Sequence, residues 1–284
     1  MQCMLAVVAE LQDAERVVER ARQLAAQFRG ELVLLHPVQE QLGGWQKVLG
    51  AGHLEQLRDD ILAVERERFA ALCGGDRGEV LWCERSYRAV VDRAEALGAE
   101  LIVIEANRHG ALEHLFHADD WHLLREAPCP VLVLPRAPRP VTAVIAAVDA
   151  LAEGPEQELL AERVLDQANA FAHALGLPLT VVTVVPDPAL IYASPVAVPL
   201  TADLIGELTE RARRAQHALL ERIGLEPEAA RVETGRVEDA LAQLATDALL
   251  VIGSVANKGL KGLVLGNTAE RVLHRVTTEM LVVN

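Results

Sequence analysis

The segment Leu249 to Leu273, with the sequence LLVIGSVANKGLKGLVLGNTAERVL, decides how the chain is predicted to fold. Its first residues form a continuous apolar run typical of a buried strand, and a helix is predicted to begin near Asn267. Glycines in the loop between them, among them Gly253 and Gly266, permit positive φ and close approach of a ligand to the backbone. Because the first N–H groups of a helix are unpaired, this strand, loop and helix favour phosphate binding.

Continuous apolar runs also recur through the first half of the chain, as LVLL at 32–35, LIVI at 101–104 and PVLVLP at 130–135. They do not alternate with polar residues, which indicates strands buried on both faces of a parallel sheet covered by helices. The first half is therefore predicted to have strands over 2–9, 31–37, 79–84, 100–105 and 130–135, and amphipathic helices over 12–29, 52–73, 86–97 and 118–126.

The pattern repeats after a linker, APRP, at 137–140. LIVIE at 101–105 aligns with LLVIG at 249–253, and EAPCPVLVL at 126–134 aligns with RVTTEMLVV at 275–283. The chain is thus interpreted as an internal duplication with domains at 1–137 and 141–284. The second copy is predicted to have strands over 141–148, 178–185, 230–234, 248–253 and 279–283, and helices over 155–175, 201–223, 236–246 and 267–276.

Composition narrows the classes of function. The chain has 284 residues, enough for about two domains, and a formal net charge of -14, which disfavours nucleic acid and anionic membranes as partners. No stretch approaches the roughly 20 apolar residues of a membrane span, and the N-terminus does not resemble a signal peptide. The four cysteines are scattered, as in a reducing compartment. A cytoplasmic location is therefore expected.

No constellation for catalysis stands out in the sequence. The chain lacks a G-x-S-x-G elbow, a P-loop and a G-x-G-x-x-G opening, so we expect a protein that is not an enzyme. The first copy has four histidines close together in sequence, a residue type that binds metals: His109, His114, His117 and His122. Because no acidic or cysteine residue nearby completes an obvious set of ligands, they are interpreted as polar loop residues, and no metal is predicted. Lys258 and Lys261 either neutralise a triphosphate or face solvent.

Two long segments have no predicted secondary structure. The segment 186–200 is rich in proline and apolar residues, and 38–52 is its shorter counterpart in the first copy. Loops of this length usually have a function or form an interface. Each is interpreted either as a lid over a ligand or as a contact between the two halves.

These motifs together resemble the universal stress protein family, and the whole chain is similar to its tandem, E-type members. The likeness rests on the strand that ends in AVDA at 147–150, on the glycine loop and its helix, on APCPVLVLP at 127–135 and on DWHLLR at 120–125. It implies an α/β fold with a five-stranded parallel sheet in each half, in doubly wound order 3-2-1-4-5. It also implies that the halves associate as a pseudo-dimer along their last strands.

The resemblance further implies a nucleotide site in the second copy, because nucleotide-binding relatives have a G-x2-G-x9-G-[ST] loop. Gly253 and Gly266 match its first and third glycines, whereas Ala256 stands at the second glycine and Asn267 at the hydroxyl residue. The other implied contacts are Thr268 beside the loop's end, the acidic residue after the first strand, Asp149, and two residues on the adenine side, Val185 and Gly235. The expected ligand is ATP or AMP, bound weakly.

The first copy departs further from that loop. Glu105 replaces the first glycine, Arg108 stands at the second, and His117 with Ala118 replaces the end of the motif. A carboxylate at this point would repel phosphate, so no nucleotide is expected there, although Glu10 at the end of the first strand could supply the acidic group.

The expected function is a cytosolic stress-resistance protein that acts through ligand-linked or partner-linked interaction. Two alternatives stay open: an adaptor without nucleotide that binds a protein or an apolar small ligand, and a slow ATP hydrolase. Each half can supply the other's partner domain, and pairing of two chains into a homodimer is also left open.

Overall fold

A computed structural model describes residues 1–12, 14–40, 51–106, 118–135, 137, 139–186, 202–254 and 267–284. The chain divides into two compact units, Met1–Leu134 and Pro135–Asn284, and each is described by itself.

The first unit alternates strands and helices along the chain. Its elements are β1 (Cys3–Val7), α1 (Glu15–Phe28), β2 (Glu31–Gln39), α2 (Ala51–Cys73), β3 (Arg77–Cys83), α3 (Ser86–Leu97), β4 (Leu101–Glu105), α4 (Ala118–Glu126) and β5 (Val131–Leu134). The strands lie in the order β3-β2-β1-β4-β5, and every neighbouring pair is parallel.

The second unit repeats this plan. Its elements are β6 (Ala143–Ala147), α5 (Pro155–Leu175), β7 (Leu179–Pro186), α6 (Ala202–Ile223), β8 (Ala229–Gly235), α7 (Val237–Leu244), β9 (Ala248–Gly253), α8 (Asn267–Arg275) and β10 (Met280–Val283). The strand order is β8-β7-β6-β9-β10, again with parallel neighbours. The predicted α/β fold with order 3-2-1-4-5 in each half is confirmed.

The central strands are buried on both faces, as their continuous apolar runs predict. Leu101, Ile102 and Val103 of β4 and Leu249, Leu250 and Val251 of β9 are each 0% exposed. In each unit the order of the strands reverses direction between the first and the fourth strand. Because right-handed crossovers then put helices on opposite faces, α1 and α2 cover one face of the first sheet, and α3 and α4 cover the other.

Three strands continue past the point where the sequence predicts their end, and two of them, β2 and β7, do so at a proline. β2 extends to Gln39 through Pro37, and β7 ends at Pro186. The neighbouring central strand has already ended at these levels, since its last pairs are Val7 with Leu35 and Ala147 with Val182. At these prolines there is no strand on the inner side to accept a hydrogen bond, so the lack of an N–H costs no pairing. Pairing with the strand on the other side, β3 or β8, continues.

A buried amide ties the long helix of the second unit to its sheet. Gln216 of α6 donates from Nε2 to the carbonyl oxygens of Val181 (3.3 Å) and Arg231 (3.1 Å) and to the Thr183 hydroxyl (3.2 Å). In the first unit a histidine, His36, stands at the strand position that corresponds to Thr183. Its Nδ1 lies 2.7 Å from the Val8 carbonyl oxygen, and its Nε2 lies 3.6 Å from the Glu65 carboxylate. The two halves therefore share a fold but not its buried polar contacts.

Among the helices that the structure describes, none has the length and apolar character needed to cross a bilayer.

Candidate functional site

The structure brings two of the predicted site residues together at the carboxyl end of the second sheet. The last pair between β6 and β9 joins Ala147 to Ile252. Gly253 follows Ile252 directly, and Asp149 lies two residues beyond Ala147. These strands flank the point where the strand order reverses, and open α/β sheets bind ligands in the crevice beside that point.

Asp149 begins a tight turn after β6. The Leu151 N–H donates to Asp149 Oδ1 at 3.1 Å, and the Ala152 N–H donates to the Asp149 carbonyl oxygen at 3.3 Å. This side-chain-to-backbone contact fixes the direction of the carboxylate while the residue stays exposed. An acidic group held at a strand end can accept hydrogen bonds from the hydroxyls of a ligand.

Val185 lies near the end of β7, and Gly235 is the last residue of β8. Val185 pairs with Thr234 and is buried at 3% exposure, so its side chain belongs to the core. Gly235 pairs with Pro186 and has φ of 132°, a conformation that side-chain-bearing residues rarely adopt. The glycine at this position is therefore required by the backbone, whatever binds there.

Gly253 lies close against the Leu160 side chain of α5. A Cβ at this position would lie 2.7 Å from Leu160 Cδ2 and 2.9 Å from Leu160 Cγ. The sequence predicts that this glycine allows close approach of a ligand, whereas the structure places the Leu160 side chain of the same unit beside it. Sequence reasoning missed Leu160, because it compared the loops of the two copies rather than their helices.

Ser254 was also missed. Its N–H donates to the Val283 carbonyl oxygen at 2.7 Å and so extends the β9–β10 pairing. Its side chain is 0% exposed, and among the described residues its Oγ has no hydrogen-bond partner. Leaving a buried hydroxyl unpaired costs about 1–3 kcal/mol, so this group at the strand end is one that a ligand atom could satisfy.

The remaining predicted contacts lie at or beyond the limits of the described residues. Ala256 and Gly266, like Lys258 and Lys261, lie outside them. Asn267 is the first residue of α8, and Thr268 follows it as an exposed residue. The start of α8 is thus at the predicted position, and its first N–H groups have no partner within the helix, a property that suits an anion.

The first unit differs at the equivalent points. Ala106 N–H donates to Leu134 as Ser254 N–H donates to Val283, so Glu105 takes the place of Gly253. The Arg16 guanidinium donates to the Glu105 carboxylate at 2.7 Å. The first strands of the two units can be aligned in the same way. The Val8 N–H donates to the Leu35 carbonyl oxygen as the Val148 N–H donates to that of Val182, so Val8 matches Val148. The residue that matches Asp149 is therefore Ala9 and not Glu10.

The predicted histidine set is only partly described. His109, His114 and His117, with Arg108, lie outside the described residues, and Ala118 is the first residue of α4. His122 stacks on the Tyr87 ring at 4.8 Å between centroids and lies 3.6 Å from Glu126. In the part of the chain that the structure describes, no group of three or more acidic, histidine or cysteine residues could hold a metal.

The cysteines are all free thiols. Burial raises the pKa of the Cys129 thiol to about 12, and burial is also the main cause that raises the pKa of Cys3 and of Cys73. Since the thiolate is the reactive form, these three side chains are poor nucleophiles at neutral pH.

Comparison with known proteins identifies the family. The model of the universal stress protein family matches residues 1–135 and again residues 143–284. Universal stress protein E of Escherichia coli (strain K12) is 26% identical over 306 residues, which cover 99% of this chain and 93% of that protein.

Solved structures agree with this match. A protein of unknown function from Pseudomonas aeruginosa PAO1 is 25% identical, with a TM-score of 0.72 over 100% of this chain and 92% of that one. A universal stress protein from Archaeoglobus fulgidus DSM 4304 is 15% identical, with a TM-score of 0.60 over 99% of this chain and 96% of that one, a likeness that shows the fold alone. The chain therefore belongs to the universal stress protein family and carries two domains of that family in tandem.

Proposed function

We propose that the chain acts in stress resistance in the cytoplasm by ligand-linked interaction, and that its second half binds an adenine nucleotide, ATP or AMP. Supporting the stress role are the family match of both halves and full-length relatives named universal stress protein E. A protein of this kind acts by binding: occupancy changes a surface that a protein partner, or a second copy of the chain, then meets.

The observation that carries the nucleotide proposal is the placement of Asp149 and Gly253 beside each other. They follow the last paired residues of β6 and β9, at the reversal of the strand order, with α8 beginning shortly afterwards in the sequence. An acidic group suits the hydroxyls of a ribose, and the start of a helix suits phosphate. The two groups serve opposite ends of one nucleotide.

The first half is proposed to bind no nucleotide. Its Glu105 carboxylate, paired with Arg16 at 2.7 Å, lies where the second half has a glycine. The carboxylate fills that position and neutralises Arg16, so phosphate would meet no net positive charge there, and Ala9 offers no acidic group in place of Asp149. The proposed stoichiometry is therefore one nucleotide per chain.

Calorimetric titration of the full chain with ATP and AMP tests the proposal. We expect heat from at least one nucleotide at a stoichiometry near one, with affinity lowered by Asp149→Asn and by Gly266→Glu, which places a carboxylate next to the first residue of α8. Asp166→Asn, the same change at an exposed position of α5, is the matched control and should leave the affinity unchanged.

Absence of heat with both nucleotides up to millimolar concentration would contradict the nucleotide proposal and leave the adaptor alternative. Mass spectrometry of the denatured, purified protein separates the two in another way, since recovered ATP rejects an adaptor without nucleotide. ATP turnover that Asp149→Asn abolishes would instead support the hydrolase alternative.

A further inference from the structure

The first helix of each half carries an arginine at the same position. The buried residues of α1 align with those of α5 when Val17 is matched to Val164; the other matched pairs are Val18 with Leu165, Ala21 with Ala168, Leu24 with Phe171 and Ala25 with Ala172. The same alignment matches the ends of the two helices. The Gly30 N–H donates to the Ala25 carbonyl oxygen after α1, and the Leu177 N–H donates to the Ala172 carbonyl oxygen after α5. Arg16 therefore corresponds to Arg163.

The two arginines meet different partners. Arg16 is neutralised by the Glu105 carboxylate at 2.7 Å. Arg163 donates from Nη1 at 3.1 Å to a main-chain oxygen of Asn284, the last residue of the sequence, which follows β10. Within the described ranges no carboxylate side chain pairs with Arg163, and Gly253 stands where the first half has Glu105. A guanidinium has five donors, so most of those of Arg163 remain for another acceptor.

A second observation at this end of the sheet also points to a ligand. Ser254 Oγ is fully buried and finds no hydrogen-bond partner in the part of the chain that the structure describes. Because successive side chains of a strand point to opposite faces and the Gly253 Cβ direction meets Leu160 of α5, Ser254 faces away from α5. A ligand that met both Ser254 and Arg163 would lie across the carboxyl end of β9.

We infer that Arg163 is the cation that binds the anionic group of the ligand in the second half, and that Glu105 is the internal substitute for that anion in the first half. The inference rests on the proposed function and specifies its ligand as one that carries a phosphate-type oxyanion. Guanidinium matches such an oxyanion in both charge and geometry.

The test compares ATP, adenosine and tripolyphosphate binding to the full wild-type chain and to Arg163→Gln. The ATP dissociation constant should rise about tenfold in this variant, whereas adenosine affinity should not change. Arg163→Lys keeps the charge and should restore most of the loss. Arg214→Gln removes an exposed arginine of α6 and is the control for net charge. Thermal unfolding of each variant confirms that it is folded.

The outcomes separate this inference from the proposed function. If ATP binds and Arg163→Gln leaves its affinity unchanged, or weakens ATP and adenosine equally, the inference is overturned while the proposed function stands. If the wild type binds neither ATP nor AMP, the proposed function fails. Tripolyphosphate binding that Arg163→Gln abolishes would then still support the inference, and its absence would overturn both.

Discussion

The Leu160 side chain lies directly over Gly253, so that a Cβ on the glycine would come within 2.7 Å of Leu160 Cδ2. The end of β9 and α5 therefore pack closely at this point because residue 253 has no side chain. The same glycine begins the loop that resembles a nucleotide motif, so a side chain at this position would disturb a packing contact as well as the loop.

Gly253→Ala should lower the free energy of unfolding by about 1–3 kcal/mol, because the added methyl group overpacks this contact. Leu160→Ala in the same chain should recover part of that loss by removing the opposing atoms. Urea unfolding measures both. Gly206→Ala in α6 is the control: its Cβ would meet no atom within 4 Å, and stability should stay equal or rise. Equal losses at the two glycines would contradict the packing argument.

The fold was predictable because its signals are local and repeated. Continuous apolar runs predicted the buried strands of both halves, and the family resemblance supplied their order. The predicted ends of β2 and β7, at 37 and 185, fall short of the observed ends at Gln39 and Pro186, and both differences occur at a proline. Whether a proline is tolerated depends on where the neighbouring strand stops, which the sequence of one strand does not contain.

The ion pair of Glu79 with Arg93 should make stability depend on pH. Arg93 of α3 donates to both carboxylate oxygens of Glu79 in β3, at 2.5 and 2.6 Å. These hydrogen bonds are the main cause that lowers the pKa of Glu79 from its ordinary value of 4.5, and Arg77 adds to the effect. Because the folded-state pKa is the lower one, the contribution is complete above pH 4.5 and is lost as pH falls through the folded value.

Glu79→Gln should therefore be less stable than wild type at pH 7, with the difference shrinking as the pH is lowered below 4.5. Urea unfolding across this range gives the measurement. Glu95→Gln, on the exposed face of α3, should show no such trend. A difference that stays constant from pH 7 to pH 3 would rule out the ion pair as its source.

Removing the donor of the buried Gln216 side chain, or replacing it with an acceptor, should lower the free energy of unfolding. Gln216→Met leaves three acceptors without this partner and should cost about 1–3 kcal/mol of unfolding free energy. Gln216→Glu is closer in shape but faces the same oxygens with a carboxylate, so at neutral pH it should cost more than Gln216→Met. Chemical denaturation at pH 7 compares them, with Gln243→Glu on the exposed side of α7 as control. The opposite order would show that volume, not polarity, decides this site.

Cys129 should resist thiol reagents in the folded protein. With a pKa of about 12, only about one thiol in ten thousand is ionised at pH 8, and the side chain is buried. Labelling with an aromatic disulfide, followed by peptide mass spectrometry, should modify Cys129 in urea but not in native buffer. Equal labelling in both solutions would show that this core opens readily.

The candidate site was predictable only in part. Asp149 and Gly253 were found by resemblance, and the register of β6 and β9 puts them at one edge. Leu160, Ser254 and Arg163 were not found, since their roles depend on contacts between elements distant in sequence. A comparison of the two first helices would have shown the repeated arginine, but not that its partner is a carboxylate in one copy and a main-chain oxygen in the other.

The carboxylate of Glu105 has a consequence for dose response. If the second half alone accepts an anionic ligand, each chain titrates as a single independent site, and saturation follows a hyperbola with a Hill coefficient of one. A pair of active copies could have coupled their occupancies and produced a threshold. Under that condition, a duplication in which one copy is filled by its own side chain would respond gradually to ligand around the dissociation constant rather than switching.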